Sequence, residues 1–212
     1  MSDDLPILNP AEARVLGSLI EKKELTPDVY PMTVNGLQSA TNQKTSREPV
    51  MTLEQGDVHR ALRLLMDKGL VRQVFASRVE RYEHQLAQAF SLTQPQIALL
   101  GLMLLRGPQT AHELMARTER MARFQSIEQL RGDLDLLIGR RPPLVQLIER
   151  GPGQREERYA HLLSGEVQIS PQSPSGSAPA AAAPRSDLEE RVETLERQVA
   201  ELSEKLKLLI GD

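Results

Sequence analysis

Residues Arg81-Tyr82-Glu83-His84-Gln85-Leu86 and Arg158-Tyr159-Ala160-His161-Leu162-Leu163 carry one signature, Arg-Tyr-x-His-x-Leu, at an offset of 77. A second echo lies upstream, where Val15-Leu16-Gly17-Ser18-Leu19-Ile20 aligns with Leu99-Leu100-Gly101-Leu102-Met103-Leu104 at an offset of 84. Two separated motifs repeated in the same order mean two similar units. The seven-residue difference between the offsets is extra chain inside the first unit, most simply in the polar loop before its third helix. At 212 residues the chain has room for two small domains.

Each unit spells three helices and a hairpin. The first helix begins near Pro10, capped by Asn9, with Ala13, Leu16, Leu19 and Ile20 on its apolar side. Thr26-Pro27 and Tyr30-Pro31 predict an extended connection, because a residue before proline is pushed out of the helical region. A short helix over Thr33 to Asn42 follows, then a polar loop from Gln43 to Met51. Thr52 and Gln55 form a capping-box pattern for a third helix from about Leu53 to Lys68, stopped by Gly69 and buried through Val58, Leu62 and Leu65. Strands over Leu70 to Val74 and Val79 to His84 close the unit. The second unit repeats the order: Pro95 to Leu105, Thr110 to Arg117, a helix capped by Ser126 and Gln129, and strands over Leu144 to Ile148 and Arg158 to Leu163. The expected fold is mainly α with small β-hairpins (α+β): two tandem winged-helix domains, 1–90 and 91–166.

The remaining chain changes character. A Pro/Ala/Ser-rich linker covers 167–185, too poor in apolar residues to bury a core. Over 186–212, Leu188, Val192, Leu195, Val199, Leu202, Leu206 and Leu209 alternate spacings of four and three, the seam of a coiled coil. Val and Leu at alternating seam positions favour a parallel homodimer, and Arg191 is placed to meet Glu196 of a partner chain. Folding back of this helix on its own chain is the competing arrangement.

At this point the motifs resemble a known family. Glu12-Ala13-Arg14-Val15-Leu16-Gly17, Thr26-Pro27-Asp28-Val29-Tyr30-Pro31 and the run from Asn42 to Met51 are similar to the YceH-like family of bacterial proteins. Leu105-Arg106-Gly107-Pro108-Gln109-Thr110 and Arg158 to Glu166 extend the resemblance, which covers roughly residues 8–166. It implies a tandem winged-helix fold and brings no assigned reaction or ligand.

The chemistry of the residues narrows the function classes. There is no cysteine, hence no disulfide or thiolate metal site, and a reducing cytoplasmic setting is the expectation. The longest apolar run, Ile97 to Leu105, is about half of the roughly 20 residues that span a bilayer, and the acidic Met1-Ser2-Asp3-Asp4 lacks a signal peptide's basic start. No membrane association is expected. No phosphate loop, His-Glu-x-x-His or Gly-x-Ser-x-Gly occurs, so neither catalysis nor a cofactor or metal is expected. His84 and His161 occupy equivalent strand positions and are read as packing residues, whereas His59 and His112 are read as solvated.

Two function classes remain. A helix-turn-helix reads DNA through its third helix, with neighbouring loops on the phosphates. In the first unit the candidate nucleic-acid contacts are Gln55, His59, Arg60 and Arg63 on that helix, Lys44 and Arg47 before it, and Arg78 in the wing. The second unit's third helix carries Glu128, Asp133 and Asp135 against Arg131, which would repel phosphates, while Arg117, Arg120, Arg123, Arg150, Arg155 and Arg158 lie elsewhere. Lys+Arg against Asp+Glu is 11 to 12 over residues 1–90, 10 to 8 over 91–165 and 5 to 9 over 166–212, far from the basic footprint of an avid nucleic-acid binder. The alternative class is therefore a non-enzymatic adaptor or assembly factor that docks protein partners.

Overall fold

The computed structural model describes residues 5–74, 79–151 and 155–166. Helix α1 (Pro10–Leu25) leads through a 3₁₀ turn (Pro27–Val29) to α2 (Val34–Thr41), α3 (Gln55–Asp67) and an antiparallel hairpin, β1 (Val71–Val74) with β2 (Arg81–His84). A five-residue helix, α4 (Leu86–Phe90), connects to the second repeat. There α5 (Gln94–Arg106), α6 (Ala111–Thr118) and α7 (Ile127–Ile138) precede the hairpin β3 (Val145–Ile148) with β4 (Arg158–His161). Among the described residues the architecture is thus mixed α/β, seven helices and two small hairpins, with helix-helix-helix-hairpin occurring twice. The expected linker at 167–185 and coiled coil at 186–212 lie outside the described residues.

Helix starts follow from short polar side chains that satisfy orphaned backbone N–H groups. Asn9 Oδ1 accepts from the Glu12 N–H, while Glu12 accepts from the Asn9 N–H, a reciprocal capping box. Thr33 and Thr110 cap α2 and α6 at equivalent positions, and Ser126 caps α7 as its sequence predicts. At the end of α3, Gly69 adopts φ 69°, donating to Met66 O while Leu70 donates to Leu65 O. This Schellman turn places Leu70 and Val71 directly into the core.

The course of the chain departs from the sequence reading in four places. The cap of α3 is Glu54 with Asp57, because Asn42 holds Leu53 outside the helix from both sides: its Nδ2 donates to Leu53 O (2.9 Å) and its Oδ1 accepts from the Leu53 N–H (2.8 Å). Thr26 to Pro31 is not extended throughout, since Pro27 opens a 3₁₀ turn whose first position suits its fixed φ. The seven extra residues of the first repeat lie before its second helix: Met32, Thr33 and Tyr82 are already 77 from Gln109, Thr110 and Tyr159. The polar loop does hold five more, as the 72-residue offset of Leu65 and Leu137 shows, but the second repeat restores them, two in the connection from α7 to β3 and three in its longer hairpin. Helix α4 is the fourth difference; five residues without a side-chain cap leave no periodic signal.

The two repeats share one apolar core, and α1 against α5 is its axis. A Cβ on Gly17 would lie 2.9 Å from Leu105 Cγ and 3.1 Å from Leu104 Cβ, while a Cβ on Gly101 would lie 2.7 Å from Ile20 Cγ2. Gly17 and Gly101, like Ile20 and Leu104, are 84 residues apart, so the contact is reciprocal: each helix drives a large side chain over the other's glycine. Backbone bonds tie the repeats elsewhere, Leu8 N–H to Leu163 O (2.7 Å) and Glu48 N–H to Leu105 O (2.8 Å).

The repeated signature acts as a clasp. Arg81 and Arg158 each donate from Nη1 to the carbonyl of the proline before the second helix, Pro31 (2.7 Å) and Pro108 (3.0 Å). Tyr82 and Tyr159 are buried, pair through their backbones with Met32 and Gln109, and donate their hydroxyls to Glu80 and Glu157. His84 (4% exposed) and His161 (9%) pack beneath, and burial lowers both from the usual 6.5 to about 4, with Lys23 adding to the effect at His84. Among the described residues neither ring nitrogen of His84, nor Nδ1 of His161, has a hydrogen-bond partner, consistent with neutral packing groups rather than a switch near neutrality.

Two outcomes follow. Gly101→Ala is expected to cost roughly 1–3 kcal/mol by overpacking against Ile20, with the Ile20→Ala double variant costing less than the sum, read by urea denaturation. For the histidines, stability is flat above pH 6.5, where neither state binds a proton. It falls by about 1.4 kcal/mol per pH unit per histidine between 6.5 and 4, where only the unfolded chain is protonated. Thermal midpoints of the wild type should drop over that range, and His84→Leu with His161→Leu should flatten the profile.

Candidate nucleic-acid interface

Helix α3 is two-sided. Val58, Ala61, Leu62 and Leu65 are buried, and Gln55, His59, Arg60 and Arg63 are exposed on the opposite face. Its start is fixed against α2 by the Asn42 bonds to Leu53, by Gln38 Nε2 donating to Leu53 O (3.2 Å), and by Gln55 Nε2 donating to Asn35 Oδ1 (3.1 Å). Arg60 lies 3.7 Å from Asp57 across solvent, a pair too exposed to occupy the guanidinium strongly. Lys44, His59 and Arg63 make no hydrogen bond or ion pair among the described residues, and all three are exposed. The structure therefore keeps Lys44, Gln55, His59, Arg60 and Arg63 at the surface. Arg78 lies outside the described residues.

Arg47 is a correction to the sequence expectation. It is 5% exposed, and its guanidinium grips Glu21 in a fork, Nη1 to Oε1 (3.0 Å) and Nη2 to Oε2 (2.6 Å). The remaining donors go to Ala40 O, Ser46 O and Gln43 Oε1. Burial pulls the Glu21 carboxyl upward, but the hydrogen bond and charge of Arg47 outweigh it and leave the group below the usual carboxylate value. With its polar atoms spent internally, Arg47 fixes the loop to α1 and has nothing left for a phosphate. Arg14, which the sequence reading treated only as part of a motif, is 2% exposed. It donates to Thr41 O (3.3 Å) and Pro49 O (2.5 Å), and burial, then the nearby Arg47 charge, lowers it to about 10. Its place among the apolar residues Ala13 and Val15 was the only available hint.

The second repeat uses its charges differently. Arg117 donates to Gln109 Oε1 (2.6 Å), and Arg158 is 3.6 Å from Glu113, so both serve the α6 to β4 junction. Asp133 accepts from buried Gln96 (3.0 Å). Arg120 and Arg123 are exposed. Arg131, Arg150 and Arg155 share a cleft of about 560 Å³ with Glu149, Glu156 and Glu157, three charges of each sign, and no net phosphate site results. His59 and His112 are exposed as expected, and His112 Nδ1 lies 3.1 Å from Glu156. Among the described residues no three His, Asp or Glu side chains converge as metal ligands. No helix of the described residues is long and apolar enough to cross a membrane.

Burial separates the two kinds of cation at the loop before α3. Arg47→Met is expected to destabilise the fold by about 3 kcal/mol or more by stranding Glu21, whereas Lys44→Ala should change stability by less than about 0.5 kcal/mol. Chemical denaturation of both variants checks this.

Comparison with known proteins places these features in a family. The chain is 70% identical to a UPF0502 protein of Mesorhizobium japonicum over the full length of both. It is 54% identical to a UPF0502 protein of Xanthomonas campestris pv. campestris, over 96% of this chain and 93% of that one. A UPF0502 protein of Stenotrophomonas maltophilia is 48% identical over 98% and 96% of the two chains. The family described as "Protein of unknown function, DUF480" matches residues 8–154, nearly the span of the resemblance carried by the sequence motifs. The chain therefore belongs to this DUF480 family, whose members cited here carry the UPF0502 name.

Proposed function

We propose that this is a non-enzymatic, cytoplasmic tandem winged-helix protein that binds DNA through α3 of the first repeat. The observation that carries this reading is the exposed polar face of Gln55, His59, Arg60 and Arg63 on a helix held rigidly against α2. Arginine and glutamine can read base edges in the major groove, and Lys44 in the preceding loop suits a phosphate. The helix-helix-helix-hairpin order of each repeat supports the winged-helix assignment. The absence of cysteine from the sequence suits a reducing compartment. With only a few cations on the face, binding is weak or restricted to a few specific contacts. Dimerisation through the sequence seam from Leu188 to Leu209 would supply a second half-site.

A protein-docking adaptor is the second reading, favoured by the near balance of acidic and basic residues in both repeats. Salt separates the two. Retention of pooled genomic DNA fragments by the full chain should weaken steeply with salt, log K falling by about 0.9 per phosphate contact per log unit. Arg60→Ala with Arg63→Ala should lower retention at least tenfold without loss of stability. Salt-insensitive binding, or a double variant that binds as well as wild type, supports the adaptor.

A further inference from the structure

Among the described residues, helix α7 leaves one face uncovered. Leu130, Leu134 and Leu137 enter the core, while Arg131, Gly132, Asp135 and Leu136 are exposed. Leu136 is 63% exposed, more than any other large apolar side chain among the described residues. Gly132 lies in the middle of the twelve-residue helix, and a Cβ there would meet no atom within 4 Å. A glycine inside a helix weakens it, and nothing among the described residues requires the missing side chain. The equivalent positions on α3, 72 residues earlier, are His59, Arg60, Arg63 and Leu64, so the two third helices present different chemistry.

The same molecule shows what a glycine followed by a large apolar residue accomplishes. Where α1 crosses α5, Gly17 receives Leu105, four residues after Gly101, and Gly101 receives Ile20, three residues after Gly17. Gly132 and Leu136 reproduce that spacing on one exposed surface, so α7 carries both the hole and the knob.

We infer that the outer face of α7 is a self-association surface, on which a second copy of this chain crosses about a two-fold axis. Leu136 of each copy then lies over Gly132 of the other. Arg131 precedes the glycine and Asp135 precedes the leucine, so the same crossing carries each Arg131 alongside the other copy's Asp135. One patch is complementary to itself in shape and in charge, the requirement of a closed isologous pair. A single helix-on-helix contact lies at the small end of interfaces, so pairing is concentration-dependent rather than permanent. The inference depends neither on DNA binding nor on the seam from Leu188 to Leu209.

Sedimentation velocity of the full chain, with that seam disabled by Leu195→Lys and Leu202→Lys, tests it over a concentration series. A reversible dimer is expected. Leu136→Glu should raise its dissociation constant at least tenfold with an unchanged thermal midpoint of the monomer. Gly132→Ala should raise that midpoint while weakening the dimer, a combination that a purely structural role would not give. Arg131→Glu should weaken pairing, and adding Asp135→Arg should restore it. A seam-disabled chain that stays monomeric at every concentration, a dimer indifferent to Leu136→Glu, or a charge reversal that is not restored overturns the proposal.

Discussion

Two helices can lie side by side at backbone distance only where a side chain is missing, and in this protein that condition is met twice at one crossing. Gly17 accepts Leu104 and Leu105, Gly101 accepts Ile20, and the first helix of each repeat thereby becomes the wall of the other. Neither Leu16 nor Leu100 has any exposure left, because each helix is covered on its own repeat's side and across the seam. Close packing makes such contacts unforgiving, since neighbouring side chains have no free volume into which to retreat.

The polar interior follows from that seam. The loop between α2 and α3 must run past the end of α5, where Glu48 donates its N–H to Leu105 O. Arg14 takes up the carbonyls of Thr41, at the end of α2, and of Pro49 in the loop, Arg47 takes up those of Ala40 in α2 and Ser46 in the loop, and Glu21 supplies the countercharge. These groups are therefore structural consequences of laying a polar loop across a helix pair, and breaking the pair is costly because its partner stays buried. Asn42, at the start of the same loop, orients α3 and so determines which way its exposed face points.

Much of this order was legible in the residues, and what was missed has identifiable causes. Caps at Asn9 and Ser126, the stop at Gly69 and the apolar stripes are local signals, and the structure uses them. Arg47 was misplaced because a cation in a polar loop looks the same whether it faces water or a carboxylate 26 residues away; only the tertiary fold brings Glu21 to it. The capping pattern of Thr52 and Gln55 was a correct motif overruled by Asn42's longer-range hold on Leu53. The alignment of Gly17 with Gly101 was visible as repetition, yet repetition does not say that the two copies of a motif touch. On α3 the sequence placed Gln55, His59, Arg60 and Arg63 on one exposed face, since helical periodicity alone decides that.

The clasp of each repeat joins residues 50 positions apart, Arg81 to Pro31 and Arg158 to Pro108. A ribosome delivers the chain from its N-terminus, so the first clasp can close as soon as His84 has emerged. The side of α1 around Gly17 and Ile20 is different: its cover, Gly101 to Leu105, is still unmade at that moment. During synthesis the first repeat is consequently a finished hairpin carrying an unfinished wall, an apolar stripe open to neighbours until some twenty more residues arrive. The short α4 that separates the repeats keeps that interval brief.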